Sequence, residues 1–67
     1  MKNLIKRKKL KIARVIVGLE LRDLAKILDC DYSYLSKMET GSRKVTKKAT
    51  VWSNEIIKRF VKDEFNE

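Results

Sequence analysis

The chain contains no proline and no histidine, and only two glycines and one cysteine among its 67 residues. One cysteine forms no intramolecular disulfide, and one cysteine without histidine supplies too few ligands for a structural zinc site. Histidine is the most common general base, and the sequence also lacks a glycine-rich phosphate loop and a suitably placed carboxylate pair. We therefore expect no catalytic residues, no metal and no cofactor, so this chain is not expected to be an enzyme.

Strand signals and long apolar runs are also missing. No alternating run is flanked by hairpin turn residues, which predicts an all-α protein. No stretch approaches the roughly 18 apolar residues of a membrane span, and Lys11 and Arg14 interrupt the apolar run that a signal peptide needs. We expect one cytoplasmic domain over 1–67. Its core is worth about 3–5 kcal/mol, so a dimer or a bound partner is an attractive further source of stability.

The charge is large and unevenly distributed. The formal net charge is +8, with +7 over residues 1–18, −2 over 19–41 and +3 over 42–67. Such an excess of basic residues indicates a polyanionic partner. The acidic middle segment implies that the flanks supply the attraction.

Helical patterns lie at both ends of the chain. The first helix is predicted from near Leu4 to Gly18, with Leu10, Ala13 and Val17 facing the core. The other apolar residues of this helix are either covered by the C-terminal helix or form a self-association surface: Ile12, Val15 and Ile16. The C-terminal helix is predicted over about 47–64, after an N-cap at Thr46 and with fraying beyond Phe60. Its core line comprises Ala49, Trp52, Ile56 and Phe60.

The middle of the chain predicts a helix-turn-helix over about 20–40. Leu21, Leu24 and Leu28 define one amphipathic helix, whose weak N-cap is Glu20. A turn follows, and the next helix, 32–40, starts after the N-cap Asp31 and ends at Gly41. This second helix has only Leu35 and Met38 as clearly apolar positions. A polar helix of this kind is typical of the DNA-reading element of a helix-turn-helix.

Specific residues resemble a known family. They are Gly18-Leu19, Leu24-Ala25, Leu28, the run Ser33-Tyr34-Leu35-Ser36-Lys37-Met38-Glu39-Thr40-Gly41, and Arg43-Lys44. This pattern resembles the lambda-repressor/Cro-like (XRE-type) family over roughly positions 10 to 48. The resemblance implies a compact four- to five-helix lambda-repressor-like DNA-binding domain.

The resemblance also implies which residues contact DNA. The helix 32–40 is expected to read bases in the major groove through Tyr32, Ser33, Tyr34, Ser36 and Lys37. The phosphates are expected to contact Lys6, Arg7, Lys8, Lys9, Thr40, Arg43, Lys44, Lys47 and Lys48, of which Lys6 to Lys9 belong to a basic N-terminal arm, residues 1–9. An interfacial membrane helix is the less favoured alternative for that arm. Arg14 and Glu39 match positions that form a largely buried ion pair in several relatives.

Four positions depart from the family pattern. Leu21 replaces a glutamine that contacts phosphate, Glu20 a Ser or Thr cap, Asp29 a turn glycine, and Val45 a frequent proline. Aspartate tolerates the left-handed region better than most residues, so we expect the turn to be kept. Cys30 is expected to plug the turn as a small hydrophobe without reactive thiolate character.

These observations favour a small sequence-specific transcriptional regulator, a Cro-like repressor or mobile-element control protein, acting as a homodimer on double-stranded DNA in a bacterial or phage-infected cell. Two alternatives remain open. One is a protein-interaction module, such as an antirepressor, antitoxin or inhibitor, that binds a protein through the recognition helix, Val15, Ile16 or the C-terminal helix. The other is an architectural DNA-binding recombination accessory factor.

Overall fold

Four helices make up the part of the chain that the computed structural model describes, which is residues 2–60, with side chains from residue 4 onward. They are α1 (Lys2–Val17), α2 (Leu21–Ile27), α3 (Tyr32–Thr40) and α4 (Lys47–Phe60). No strand occurs within these residues, so the all-α prediction is confirmed for them. The predicted end of the C-terminal helix, 61–64, lies outside the described residues.

The basic N-terminal segment is helical. Residues 2–9, described above as an arm, form the first half of α1, and α1 begins at Lys2 rather than near Leu4. The side chains from Lys6 to Lys9 therefore project from a helix, about 100° apart from one residue to the next.

Each of the three connections between consecutive helices contains one residue with a left-handed backbone conformation. Gly18 has φ +73°, Asp29 has φ +55° and Gly41 has φ +96°. Asp29 thus adopts the conformation expected of the glycine it replaces, and the Cys30 amide donates to the Ala25 carbonyl at 2.9 Å. The predicted turn is present.

The helix N-termini are capped differently. Thr46 caps α4, because its Oγ1 accepts the Ala49 amide at 3.2 Å. Glu20 and Asp31 occupy the N-cap positions of α2 and α3, but neither side chain makes a capping hydrogen bond. Asp31 thus occupies the predicted N-cap position of α3, but without the side-chain hydrogen bond of an effective cap.

The core draws on residues of all four helices, with α4 packed against α1 and α3 packed against both α1 and α2. Its fully buried residues include Leu10, Leu24, Leu35, Met38 and Ala49, as the apolar pattern predicts. Val45 is 8% exposed and packs in this core. Ser53 is 1% exposed and donates to the Thr50 carbonyl at 3.0 Å.

Some apolar residues lie outside the core. Phe60 is 49% exposed, so the predicted core line of α4 does not extend to it. Ile12 and Val15 are 51% and 61% exposed, and Val17 and Ile16 are half-buried. Since α4 packs against the Leu10–Ala13 face of α1, the opposite face of α1 stays open to solvent.

Candidate nucleic-acid interface

One face of α3 is buried and the opposite face is open. Leu35 and Met38 are 0% and 1% exposed and fix the orientation of the helix. Ser33, Lys37 and Thr40 are exposed. Because these three follow one another at helical spacings of four and three residues, they form a polar stripe along the outer face. We call this set the α3 stripe.

Two tyrosines and a serine flank the α3 stripe. Tyr32 is 52% exposed and Tyr34 is 37% exposed, whereas Ser36 is half-buried. The Arg43 guanidinium lies over the Tyr34 ring, 5.6 Å from its centroid. A cation at this distance is attracted by the ring, so the loop residue and the helix residue stabilise each other's positions.

The loop after α3 is held by the last turn of the helix. The amides of Gly41 and Arg43 both donate to the Lys37 carbonyl, at 3.0 and 3.2 Å. The Thr40 hydroxyl donates to the same oxygen at 3.2 Å. The basic side chains of Arg43 and Lys44 are thereby presented from a fixed backbone, next to the α3 stripe, and both are exposed.

Arg7 has an intramolecular role that the sequence pattern does not reveal. Its Nη1 donates to the Thr40 carbonyl at the C-terminal end of α3, and the side chain is half-buried. It also lies against Gly41, where any Cβ would collide with the guanidinium. Arg7 therefore caps α3 with a cation, where the helix dipole is negative.

Arg14 joins three segments through its guanidinium. Nε and Nη2 donate to the two carboxylate oxygens of Glu39 at 2.8 and 3.2 Å, and Nη1 donates to the Leu19 carbonyl at 2.9 Å. The two side chains are only 17% and 8% exposed. The ion pair implied by the family resemblance is present, and it fixes α3 relative to α1.

The remaining basic residues do not form one surface. Lys8 lines a cleft with Arg7, Lys11 and Glu39, beside the end of α3. Lys6 and Lys9 line a different cleft, between α1 and α4. Lys48 lines an apolar groove between α2 and α4, while Lys47 is exposed at the start of α4. Lys8 thus shares a cleft with a residue at the end of α3, whereas the clefts lined by Lys6, Lys9 and Lys48 include no residue of α3.

Arg22 was missed by the sequence analysis. It lines an open cleft of about 500 Å³ together with Leu21 and Tyr32, at the N-terminal ends of α2 and α3. Leu21 is half-buried against the core and brings no polar group to this cleft. The exposed guanidinium of the next residue brings a cation to the same place. Because Arg22 directly follows Leu21, which the sequence already marks as unusual, its place in the chain could have identified it as a candidate.

Comparison with known proteins adds no relative. No family model, curated protein or solved structure matches this chain.

Cys30 is half-buried against the core. Burial raises the pKa of its thiol, and the neighbouring Asp31 and Asp29 carboxylates raise this pKa further, against a smaller opposing effect of Lys48. The thiol is accordingly neutral at neutral pH, which fits the expected packing role.

Within residues 2–60, the cysteine and carboxylate side chains form no cluster of three that could hold a metal ion. Among the same residues, no helix combines the length and the apolar character needed to cross a membrane.

Proposed function

We propose that this chain is a small regulator that binds double-stranded DNA sequence-specifically, on a lambda-repressor-like fold with α3 in the major groove. The observation that carries the proposal is the α3 stripe: Ser33, Lys37 and Thr40 are exposed while Leu35 and Met38 on the opposite face are fully buried. A helix anchored on one side and polar on the other suits insertion into a groove about 12 Å wide.

Base contacts are assigned by donor and acceptor chemistry. Lys37 donates to guanine O6 or N7, and the Ser33 hydroxyl serves several base edges. Tyr32 and Tyr34 offer hydroxyls together with ring faces for thymine methyl groups. Because Arg43 from the loop lies over the Tyr34 ring, Tyr34 contacts a base at the edge of the protein–DNA interface. Ser36 is half-buried and therefore contributes least to base contact.

Phosphate contacts are proposed for the basic residues that surround the α3 stripe. Arg43, Lys44 and Lys47 lie on the loop and at the start of α4, Lys8 lies beside the end of α3, and Arg22 lies beside Tyr32. Arg7 supports this surface indirectly, by capping α3. The exposed Thr40 hydroxyl contacts phosphate by exchanging its hydrogen bond to the Lys37 carbonyl for one to a phosphate oxygen. Lys6, Lys9 and Lys48 are left out of this surface, because they line clefts elsewhere.

The decisive experiment changes Lys37 to alanine. Duplexes are first selected from a random pool with the full chain, and the affinities of both proteins for selected and unrelated duplexes are then compared. Lys37→Ala is expected to lose about 1–3 kcal/mol of discrimination at one base pair, with nonspecific affinity nearly unchanged. Lys26→Ala, an exposed lysine of α2, is the matched control and should keep full discrimination.

The other outcomes favour the alternative functions. Equal weakening on all duplexes would support an architectural binder that reads shape rather than bases. Failure to bind any duplex at low salt would contradict the proposal and support a protein-interaction module. As parts of the same proposal, we place the protein in the cytoplasm of a bacterial or phage-infected cell, acting as a repressor and as a homodimer on DNA.

A further inference from the structure

A small cleft between α1 and α4 contains two lysines that the proposed DNA surface leaves unused. Its volume is about 190 Å³, and it is lined by Ile5, Lys6, Lys9, Thr50, Ser53 and Asn54. We call these six residues the α1–α4 cleft. Ser53 is 1% exposed and forms the floor of the cleft, while the two lysines and Asn54 are exposed around its opening.

The hydrogen-bond donors of the α1–α4 cleft determine what it can bind. The Ser53 hydroxyl donates to the Thr50 carbonyl at 3.0 Å, and the Thr50 hydroxyl donates to the carbonyl one turn before it at 2.9 Å. Both hydroxyl hydrogens are therefore used within α4. The remaining donors are the ammonium groups of Lys6 and Lys9 and the side-chain amide of Asn54. Two cations and one neutral donor favour an anion.

No carboxylate opposes that anion among the described side chains that line the cleft. The helix α1, Lys2–Val17, carries seven basic and no acidic residues. In α4 the acidic residue is Glu55, which lines the groove on the α2 side instead. The other charged residues of α4 are all basic: Lys47, Lys48, Lys58 and Arg59. Neither Lys6 nor Lys9 forms an ion pair with another described side chain, so their charge is available to a ligand.

The cleft lies on the side of α1 that is turned away from α3. Both α3 and α4 pack against α1, but on different sides of it. Arg7, which caps α3, and Lys9, which lines the cleft, are two residues apart and therefore point about 160° away from each other. A duplex held by the α3 stripe lies on the Arg7 side, so the cleft stays open while that duplex is bound.

The exposure of the two lysines favours a nucleic-acid backbone over a single free anion. Solvated ammonium groups bind one small anion weakly, because the gain in Coulomb energy in water is small. A DNA duplex instead presents a regular row of phosphates and releases condensed counterions when lysines neutralise them. Lys6 and Lys9 are three residues apart, about 4.5 Å along α1, so both can reach the same stretch of backbone.

We infer that the α1–α4 cleft binds the phosphate backbone of a second DNA duplex through Lys6, Lys9 and Asn54, so that one chain bridges two duplexes. This second contact is independent of base sequence, because it involves phosphates alone. It goes beyond the proposed function, in which a single duplex lies against α3. The bridging rests on that proposed function, whereas the binding of phosphates in the cleft does not.

The test is a capture assay with the full chain. A duplex selected by the protein is fixed to beads, the protein is added, and a fluorescent duplex of unrelated sequence is then offered at 50 mM salt. The wild-type chain is expected to retain the fluorescent duplex on the beads. Its affinity for this second duplex should fall about tenfold between 50 and 200 mM salt, as expected when two phosphates are neutralised.

Variants of the cleft should remove the second duplex alone. Lys6→Gln combined with Lys9→Gln removes both cations and keeps similar helix propensity, so retention and its salt dependence should be lost. Asn54→Asp keeps the size of the side chain but adds a negative charge, and it should weaken the affinity for the second duplex about fivefold. Both variants should bind and discriminate the selected duplex as the wild type does.

A matched control removes two cations elsewhere. Lys26→Gln lies on α2, and Arg59→Gln lies about 140° around α4 from Asn54. This double variant has the same net charge as the Lys6 and Lys9 variant and should still retain the second duplex. Far-ultraviolet circular dichroism of every variant should match that of the wild type, which separates loss of contact from misfolding.

Four results would overturn the inference. They are a wild-type chain that retains no second duplex at 50 mM salt, undiminished retention by the Lys6 and Lys9 variant, an equal loss in the matched control, and loss of retention when inorganic phosphate replaces chloride at constant ionic strength. The second would show that two α3 helices of a dimer hold the two duplexes, and the fourth that the cleft prefers a free anion.

Failure of this inference can be told apart from failure of the proposed function. A chain that selects specific duplexes but never captures a second one would contradict the inference alone. A chain that selects no sequence, yet binds any duplex in a manner that depends on Lys6 and Lys9, would contradict the proposed function and leave phosphate binding in the cleft supported.

Discussion

Two glycines illustrate how a single residue's surroundings decide its importance. Gly18 and Gly41 both have positive φ, at +73° and +96°. No atom lies within 4 Å of the position that a Cβ would occupy at Gly18, whereas at Gly41 the Arg7 guanidinium fills that position. The sequence pattern predicts both helix stops, but it does not distinguish these two environments.

Alanine substitutions should expose the difference. Gly18→Ala is expected to cost about 1–2 kcal/mol, which is the left-handed backbone penalty for a residue with a Cβ. Gly41→Ala should cost about 1 kcal/mol more, since Arg7 must move and its hydrogen bond to the Thr40 carbonyl is lost. Urea unfolding followed by circular dichroism measures both values.

An Arg7→Ala background supplies the control. Because this change removes the side chain that meets the new Cβ, the two glycine substitutions should then cost nearly the same. An undiminished difference would show that Arg7 does not hold the end of α3.

The helix α3, like the shorter α2, depends on contacts with the rest of the molecule. It has nine residues, its N-cap side chain makes no hydrogen bond, and only Leu35 and Met38 are buried. Isolated helices of this length are marginal in water. The Arg14–Glu39 ion pair and the Arg7 cap therefore hold the proposed recognition helix in place.

Removal of Glu39 should be severe. Glu39→Ala leaves Arg14 largely buried without its partner, which is expected to cost about 3–5 kcal/mol. That is comparable to the whole stability expected of a domain this small. Urea unfolding is again the measurement, and Glu20→Ala, which removes an exposed carboxylate with no capping bond, should change stability by less than about 0.5 kcal/mol.

An apolar pair provides the rescue. The double variant Arg14→Met with Glu39→Leu should recover most of the lost stability, because no unpaired charge remains buried. If Glu39→Ala were as mild as Glu20→Ala, the pair would not be holding α3.

The molecule as a whole is basic, but its middle segment, residues 19–41, is slightly acidic. The net charge is +8, yet residues 19–41 carry −2. Attraction to phosphate therefore arises at the edges of the proposed interface, from the loop after α3, the start of α4 and one side of α1. Binding of this kind releases counterions and depends strongly on salt.

Salt dependence tests this distribution. The logarithm of the DNA affinity should fall linearly with the logarithm of salt concentration, and Lys44→Ala should reduce the slope by about 1. Lys58→Ala removes an exposed charge near the end of α4 and should leave the slope unchanged. Equal effects of the two variants would indicate attraction to net charge rather than contact at the proposed surface.

Much of the fold follows from short-range patterns. The apolar spacing predicts the four helices and most of the core, including Leu10, Leu24, Leu35 and Ala49. Gly18, Asp29 and Gly41 mark the left-handed stops, and Thr46 the cap of α4. These features depend on residues within a turn or two of one another, where conformational preference and side-chain spacing are readable from the chain. The exposure of Ser33 and Lys37 follows in the same way.

Contacts between residues far apart in the chain depend on how the helices pack. Local patterns suffice for the helices, their stops and the excess of basic residues. Folding then placed Arg7 against Gly41, Arg43 over Tyr34, and Lys48 in a groove with Ile27, separating lysines that the sequence groups together. The physical reason is that a side chain's direction depends on its helix phase, while its neighbours depend on how whole helices pack.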